Sequence, residues 1–143
     1  MPLIQVTAPQ GALNTTEQDA LVSRLSDAVL TAEGAPLTSP GAQSLVWAYY
    51  NEQPKGSIYI GGKNLEQSPL RIAITTPQGA LTDTARHSLV ADIGAIIDQF
   101  IGAYEGRLNH WAMLYEVSEG SWGGAGQVFP LADIQAVMKI KTS

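Results

Sequence analysis

Pro9-Gln10-Gly11-Ala12-Leu13 recurs letter for letter as Pro77-Gln78-Gly79-Ala80-Leu81. The match extends on both sides of the pentapeptide. At a shift of 68, Ile4, Thr7, Thr16, Leu21 and Val22 fall on Ile72, Thr75, Thr84, Leu89 and Val90. At a shift of 64, Trp47, Ala48, Glu52, Gly56, Ser57 and Gly62 fall on Trp111, Ala112, Glu116, Gly120, Ser121 and Gly126. Two blocks in the same order make the chain one supersecondary unit written twice. The change of four between the shifts puts a length difference in the connection between the blocks, where insertions are tolerated.

Each copy opens on a β-branched, alternating stretch, 3–7 and again 71–75, which predicts a strand ended by Pro-Gln-Gly. A helix follows. Thr16 with Asp19 offers it a capping box, and Leu21, Leu25, Ala28 and Val29 repeat at helical spacing. Leu89, Ile93, Ile96, Ile97 and Phe100 do the same in the second copy. A Gly/Pro-rich connection over 34–42 leads to a second strand, 45–51 or 111–116, and then to a Gly-rich turn, 55–62 or 120–126. The unit is β-α-β with parallel strands. Two copies predict an α+β fold: a four-stranded mixed sheet with two helices on one face, formed by a first unit (2–62), a second (70–126) and a C-terminal tail (127–143). The free face carries Trp47, Tyr49, Trp111 and Met113, too much apolar surface for a monomer, so a closed oligomer is expected.

Composition narrows the function. The 143 residues are 45% hydrophobic and 15% charged, which suits one globular core. No apolar run reaches the ~20 residues of a membrane span, and no secretory signal is visible. With no cysteine, disulfides and thiolate chemistry are excluded and a cytoplasmic location is expected. A net charge of -5 with eight scattered basic residues argues against nucleic acid and anionic membrane as partners. Two histidines and no acidic cluster argue against a metal, and no other cofactor is expected. The Gly123–Gly126 run lacks the following Lys-Ser or Lys-Thr of a phosphate cradle.

Met1-Pro2-Leu3-Ile4, the Gly turn, the helix and Asn51-Glu52-Gln53-Pro54-Lys55-Gly56-Ser57-Ile58-Tyr59-Ile60-Gly61-Gly62 together resemble the tautomerase superfamily. The likeness is to 4-oxalocrotonate tautomerase, and among double-length fused members to cis-3-chloroacrylic acid dehalogenase-like proteins. It implies a homotrimer with inward-facing sheets, a small-molecule substrate, and catalysis by a proline that becomes N-terminal when methionine is removed. Pro2 is the matching residue. An α-amino group titrates near ~7.7–8, and an apolar pocket lowers that value by disfavouring the charged form. Such a base takes a proton from carbon beside a carbonyl and returns it elsewhere.

The family's carboxylate-binding arginines would fall at Ala12, Ala80, Trp47 and Trp111. The dehalogenase's helix histidine, its arginines, and its water-activating tyrosine and glutamate align with Val29, Pro77, Ala80, Met113 and Gly124. A dicarboxylate gripped bidentately by arginine is therefore disfavoured. Trp122 falls on a pocket aromatic of the family. Arg71 begins the second unit and is a candidate for binding a carboxylate across the pseudo-twofold. Tyr49, Tyr115, Asn51 and Asn109 are candidate donors to an enolate oxygen, while His87, His110, Lys55, Lys63 and Arg107 read as structural or surface residues. The expected activity is an isomerase acting on a small enol, 2-oxo acid or related carbonyl compound. The alternatives are hydration, dehalogenation or decarboxylation of a short acid, and a catalytically silent trimer that binds a ligand or partner.

Overall fold

The computed structural model describes residues 2–140; Met1 and residues 141–143 lie outside the described residues. In the first copy β1 (Leu3–Pro9), α1 (Thr15–Ala32), α2 (Pro40–Leu45) and β2 (Trp47–Gln53) precede a hairpin of β3 (Tyr59–Ile60) and β4 (Lys63–Asn64). The second copy has β5 (Leu70–Pro77), α3 (Asp83–Ile101) and β6 (His110–Val117), then a hairpin of β7 (Gly123–Gly124) and β8 (Gln127–Val128), and ends with α4 (Leu131–Met138). β1, β5 and β6 run longer than the hydrophobic alternation alone suggested, and β2 is shifted by two residues to start at Trp47 because Leu45 closes α2.

The main sheet has the order β2-β1-β5-β6, parallel within each unit and antiparallel between β1 and β5. Leu3 pairs with Thr75 and Thr7 with Arg71, so each pair maps onto the other when the copies are exchanged, as a twofold relation requires. The shared pentapeptide builds the same turn twice. Ala12 N–H donates to Pro9 O and Ala80 N–H to Pro77 O, both at 3.1 Å. Gly11 and Gly79 sit at φ +80° and +90°, the left-handed region that the third residue of a type II turn needs. Gln10 and Gln78 then donate to Gln53 O and Val117 O, tying each turn to the end of the neighbouring parallel strand.

Alternation along the strands sends Ile4, Val6, Ala8, Ile72 and Ile74 under the helices, where they meet Leu21, Leu25 and Val29 of α1 and Leu89, Ile93 and Ile97 of α3. Each buried Ile, Leu or Val side chain among these contributes about 1.5–3 kcal/mol relative to exposure. Both helices therefore lie on one face of an α+β sheet. The other face is bare: Trp47 is 60% exposed, Tyr49 51% and Trp111 63%.

Three local expectations change. The capping box of α1 is Asn14 with Glu17, two residues earlier than Thr16 with Asp19: Asn14 Oδ1 accepts from Glu17 N–H at 2.8 Å and Glu17 Oε1 accepts from Asn14 N–H at 3.1 Å. The connection over 34–42 is not all loop, because Ser39 and Pro40 start α2 there. This helix lies where the first copy is longer. The tail contains β8 and α4, and α4 packs on its own chain, with Ile134 and Met138 joining Leu30, Ala35 and Ala42 in a second small core. No helix among the described residues is long and apolar enough to cross a membrane.

Candidate functional site

The end of the sheet where β1 and β2 begin is covered by the second hairpin and α4. The hairpin turns tightly through Ala125 (φ 50°) and Gly126 (φ 76°), and its base closes where Phe129 N–H donates to Trp122 O at 2.8 Å. Gly124 leaves room for the Phe129 ring, since a Cβ there would lie 2.9 Å from Phe129 Cε2. The Glu119 carboxylate accepts from Leu131 N–H at 3.0 Å, satisfying a donor at the first turn of α4. These contacts hold Trp122 and Phe129 over the start of β1.

Beneath them is a cavity of about 690 Å³ lined by Pro2, Leu3, Tyr49, Trp122, Phe129 and Ile134 among others. Asp133 is the one charged side chain among its lining residues. The structure thus brings together Pro2, Tyr49 and Trp122. Pro2 is buried, and its carbonyl accepts from Trp47 N–H at 3.1 Å. The residue related to Pro2 by the repeat is Leu70, whose N–H donates to Asn109 O at 2.9 Å. The counterpart acceptor for Pro2 would be Leu45, which α2 has drawn into a helix. The sheet uses the nitrogen at Leu70, while the one at Pro2, which carries no hydrogen as a prolyl amide, stays outside the ladder.

Beside Pro2 stands a group that sequence reading missed. The register continues from Leu3–Thr75 to place Pro2 across from Thr76, which is wholly buried. Thr76 Oγ1 donates to Glu33 Oε1 at 2.5 Å, and Glu33, the C-cap of α1, is 5% exposed. Burial pushes the Glu33 carboxyl above the usual carboxylate range, and the Thr76 hydroxyl pulls it back in part. A signal for this pair existed in the sequence: at the shift of 68 Glu33 falls on Ile101 and Thr76 on Ala8, polar residues where the other copy is apolar.

Arg71, Tyr115 and Asn109 lie outside the cavity. Arg71 is on the bare face at the far end of β5, paired with Thr7 and Trp111, four residues along from Thr75 and so roughly 13 Å away. Tyr115 is also on the bare face, where its hydroxyl donates to Met113 Sδ at 3.5 Å. Asn109 is buried as a clamp: its Nδ2 donates to Asp98 Oδ1 and Gly102 O, both at 2.8 Å, joining β6 to the end of α3. Asn109 Oδ1 lies 2.6 Å from His110 Nδ1, and because its amide nitrogen is already committed, His110 Nδ1 is the donor. Among the described residues no group of three His, Asp or Glu side chains is placed to hold a metal ion.

No family model and no curated protein matches the sequence. Solved structures do match. The fused 4-OT protein F6, an asymmetric trimer, aligns at a TM-score of 0.72 and 24% identity over 88% of this chain and 94% of its own. N1, a member of the cis-3-chloroacrylic acid dehalogenase family, aligns at 0.73 and 15% over 90% and 83%. Pt0534, a protein inactivated by 2-oxo-3-pentynoate, aligns at 0.72 and 24% over 88% and 94%. The chain therefore has the fold shared by fused 4-OT and the cis-3-chloroacrylic acid dehalogenase family, the tautomerase fold.

Proposed function

We propose that this protein is a tautomerase-like enzyme in which Pro2, made N-terminal by removal of Met1, is the general base. It moves a proton on a small enol, 2-oxo acid or related carbonyl compound. The observation that carries this reading is the Pro2 position: buried, on the wall of an apolar cavity, with its nitrogen outside the backbone ladder. Apolar walls disfavour the ammonium form, so the nitrogen is held near neutrality, where a base both accepts and returns a proton. The carbon acid loses its proton to nitrogen, the electrons move onto the carbonyl oxygen, and the same proton returns to another carbon. Tyr49 and Trp122 line the cavity beside the base, as a hydroxyl for the enolate oxygen and an apolar wall.

The assembly proposed with it is a homotrimer closed over the bare sheet face, supported by Trp47, Trp111 and Tyr115 standing exposed there and by the trimeric F6. In that assembly Arg71 and Tyr115 face a neighbouring subunit, and Arg71 is offered to a substrate carboxylate.

The test uses protein purified from its native host. Intact mass is expected to show loss of Met1, and 2-oxo-3-pentynoate is expected to add once, at the Pro2 nitrogen: an N–C bond forms, the triple bond becomes a double bond, and the amine proton goes to carbon. Pro2→Ala is expected to lower enol–keto turnover by about 100-fold or more. Retained methionine, or turnover unchanged in Pro2→Ala, overturns the reading.

A further inference from the structure

We propose that Glu33, held by the Thr76 hydroxyl, is the buried acid–base partner of the mature Pro2 nitrogen, a positioning residue that sets the pH at which Pro2 gives up its proton. The proposal rests on the reading of Pro2 as base and adds to it a second titrating group. Three observations carry it. First, the carboxyl is almost wholly buried at the C-cap of α1, where a charge is tolerated only beside a partner. Second, the strand register puts its hydrogen-bond partner Thr76 directly across from Pro2, and side-chain alternation sends Pro2 and Ile4 to the same side of the sheet as Thr76.

Third, the repeat supplies an internal control. The fold needs no polar pair at this place, because the twofold-related positions, Ile101 and Ala8 beside Leu70, are apolar and belong to the main core. Glu33 and Thr76 occur only at the end of the sheet that holds Pro2. The related nitrogen of Leu70 is consumed by Asn109 O, and the carboxylate at that end, Asp98, is held by the Asn109 side chain.

Glu33 is not among the residues lining the cavity, so it acts on substrate through Pro2 alone. When Pro2 takes the proton from carbon, the carboxylate faces the new ammonium; when the proton returns to carbon, Glu33 is unchanged. The cavity walls favour the neutral amine and Glu33 favours its protonated form, so the two together place the midpoint. The other titratable side chains facing Pro2 are Tyr49 of β2 and Asp133 of α4, both on the cavity wall. From α2 and α4 the residues packed around the end of α1 are apolar: Ala42, Ile134 and Met138.

The experiment follows isotope-labelled proline and glutamate by NMR across pH in the mature protein, and the pH dependence of 2-oxo-3-pentynoate addition at Pro2. Each nucleus is expected to sense both titration steps, as coupled sites do. Glu33→Gln keeps an acceptor for Thr76 and is expected to lower the Pro2 midpoint by about one pH unit or more, moving the acid limb of the addition rate with it. Thr76→Val leaves the carboxyl in place, removes the donor that favours its charge, and shifts the midpoint in the same direction by less. Independent titration in the native protein, or a midpoint unmoved by Glu33→Gln, overturns the proposal; the native titration decides it even where a variant does not fold. Retained turnover in Pro2→Ala overturns the base reading instead, a separate outcome.

Discussion

Gly41 of α2 packs its bare Cα against the backbone of Val137 in α4; a Cβ at Gly41 would stand 2.1 Å from the Val137 carbonyl oxygen. Backbone cannot swing aside as a side-chain tip does. Gly41→Ala is therefore expected to push α2 from α4 and to lower stability by about 1–3 kcal/mol, the usual cost of overpacking, read by urea denaturation. Gly94→Ala is the counter-case. It lies inside α3, its Cβ would meet nothing closer than His110 Cε1 at 3.8 Å, and alanine there is expected to stabilise by about 0.5–1 kcal/mol. If both substitutions changed stability in the same direction, α2 would not pack on α4 through Gly41.

At the start of α1 the cap is Asn14 with Glu17, and Thr15 and Thr16 are already inside the helix. Asn14→Ala is expected to cost about 1 kcal/mol, whereas Asp19→Ala, one helical turn in from the cap, stays within about 0.5 kcal/mol. Thermal or urea melts of the two variants side by side decide between the two caps.

That cap shows how far the sequence could be read. The β-α-β repeat, the parallel pairing within units, both helices on one face and the bare face of Trp47, Tyr49 and Trp111 all follow from periodicity and duplication, because burial on a two-sided sheet forces those patterns. The position of the cap was also within reach. Thr82, which caps α3 by accepting from Ala85 N–H at 3.1 Å, is the repeat partner of Asn14. Periodicity carries no such information about α2 or α4, whose few apolar residues only acquire a face once they meet each other over Ala42 and Ile134. The site suffered for the same reason. Pro2 and Trp122 are far apart in the chain and meet only because α4 and the second hairpin fold back, and Asn109, a plausible donor on paper, is consumed by Asp98 and Gly102.

The bare face makes a prediction about assembly. Trp111 pairs with Arg71 in register and Met113 with Ala73, so their side chains stand together on the exposed side of β5 and β6. A lysine in that apolar patch has to be desolvated on association without a partner. If the proposed trimer forms, Trp111→Lys combined with Met113→Lys is expected to convert it to monomer in light scattering at micromolar concentration, with the far-ultraviolet circular dichroism retained. A wild-type protein that is already monomeric under the same conditions rules the trimer out.

His110 supplies a pH dependence with a definite sign. Its ring is half-buried over Gly94 of α3, and burial lowers its pKa below the ordinary imidazole value, with the Asp98 carboxylate opposing in part. The unfolded chain, with a value near ~6.5, thus binds a proton more readily than the folded one. The His110 contribution is fully present above that pH, is lost as pH falls through it, and levels off once pH is below the folded value. His110→Asn keeps a donor toward Asn109 Oδ1 and removes the titration. Wild-type stability, measured by urea denaturation, is expected to drop more than that of the variant between pH 7.5 and pH 5.5, both chosen about one unit from the unfolded midpoint. Other titrating groups are common to both proteins and cancel in the difference. Equal drops, or a larger one in His110→Asn, would show that the ring is as well solvated in the folded protein as in the unfolded chain.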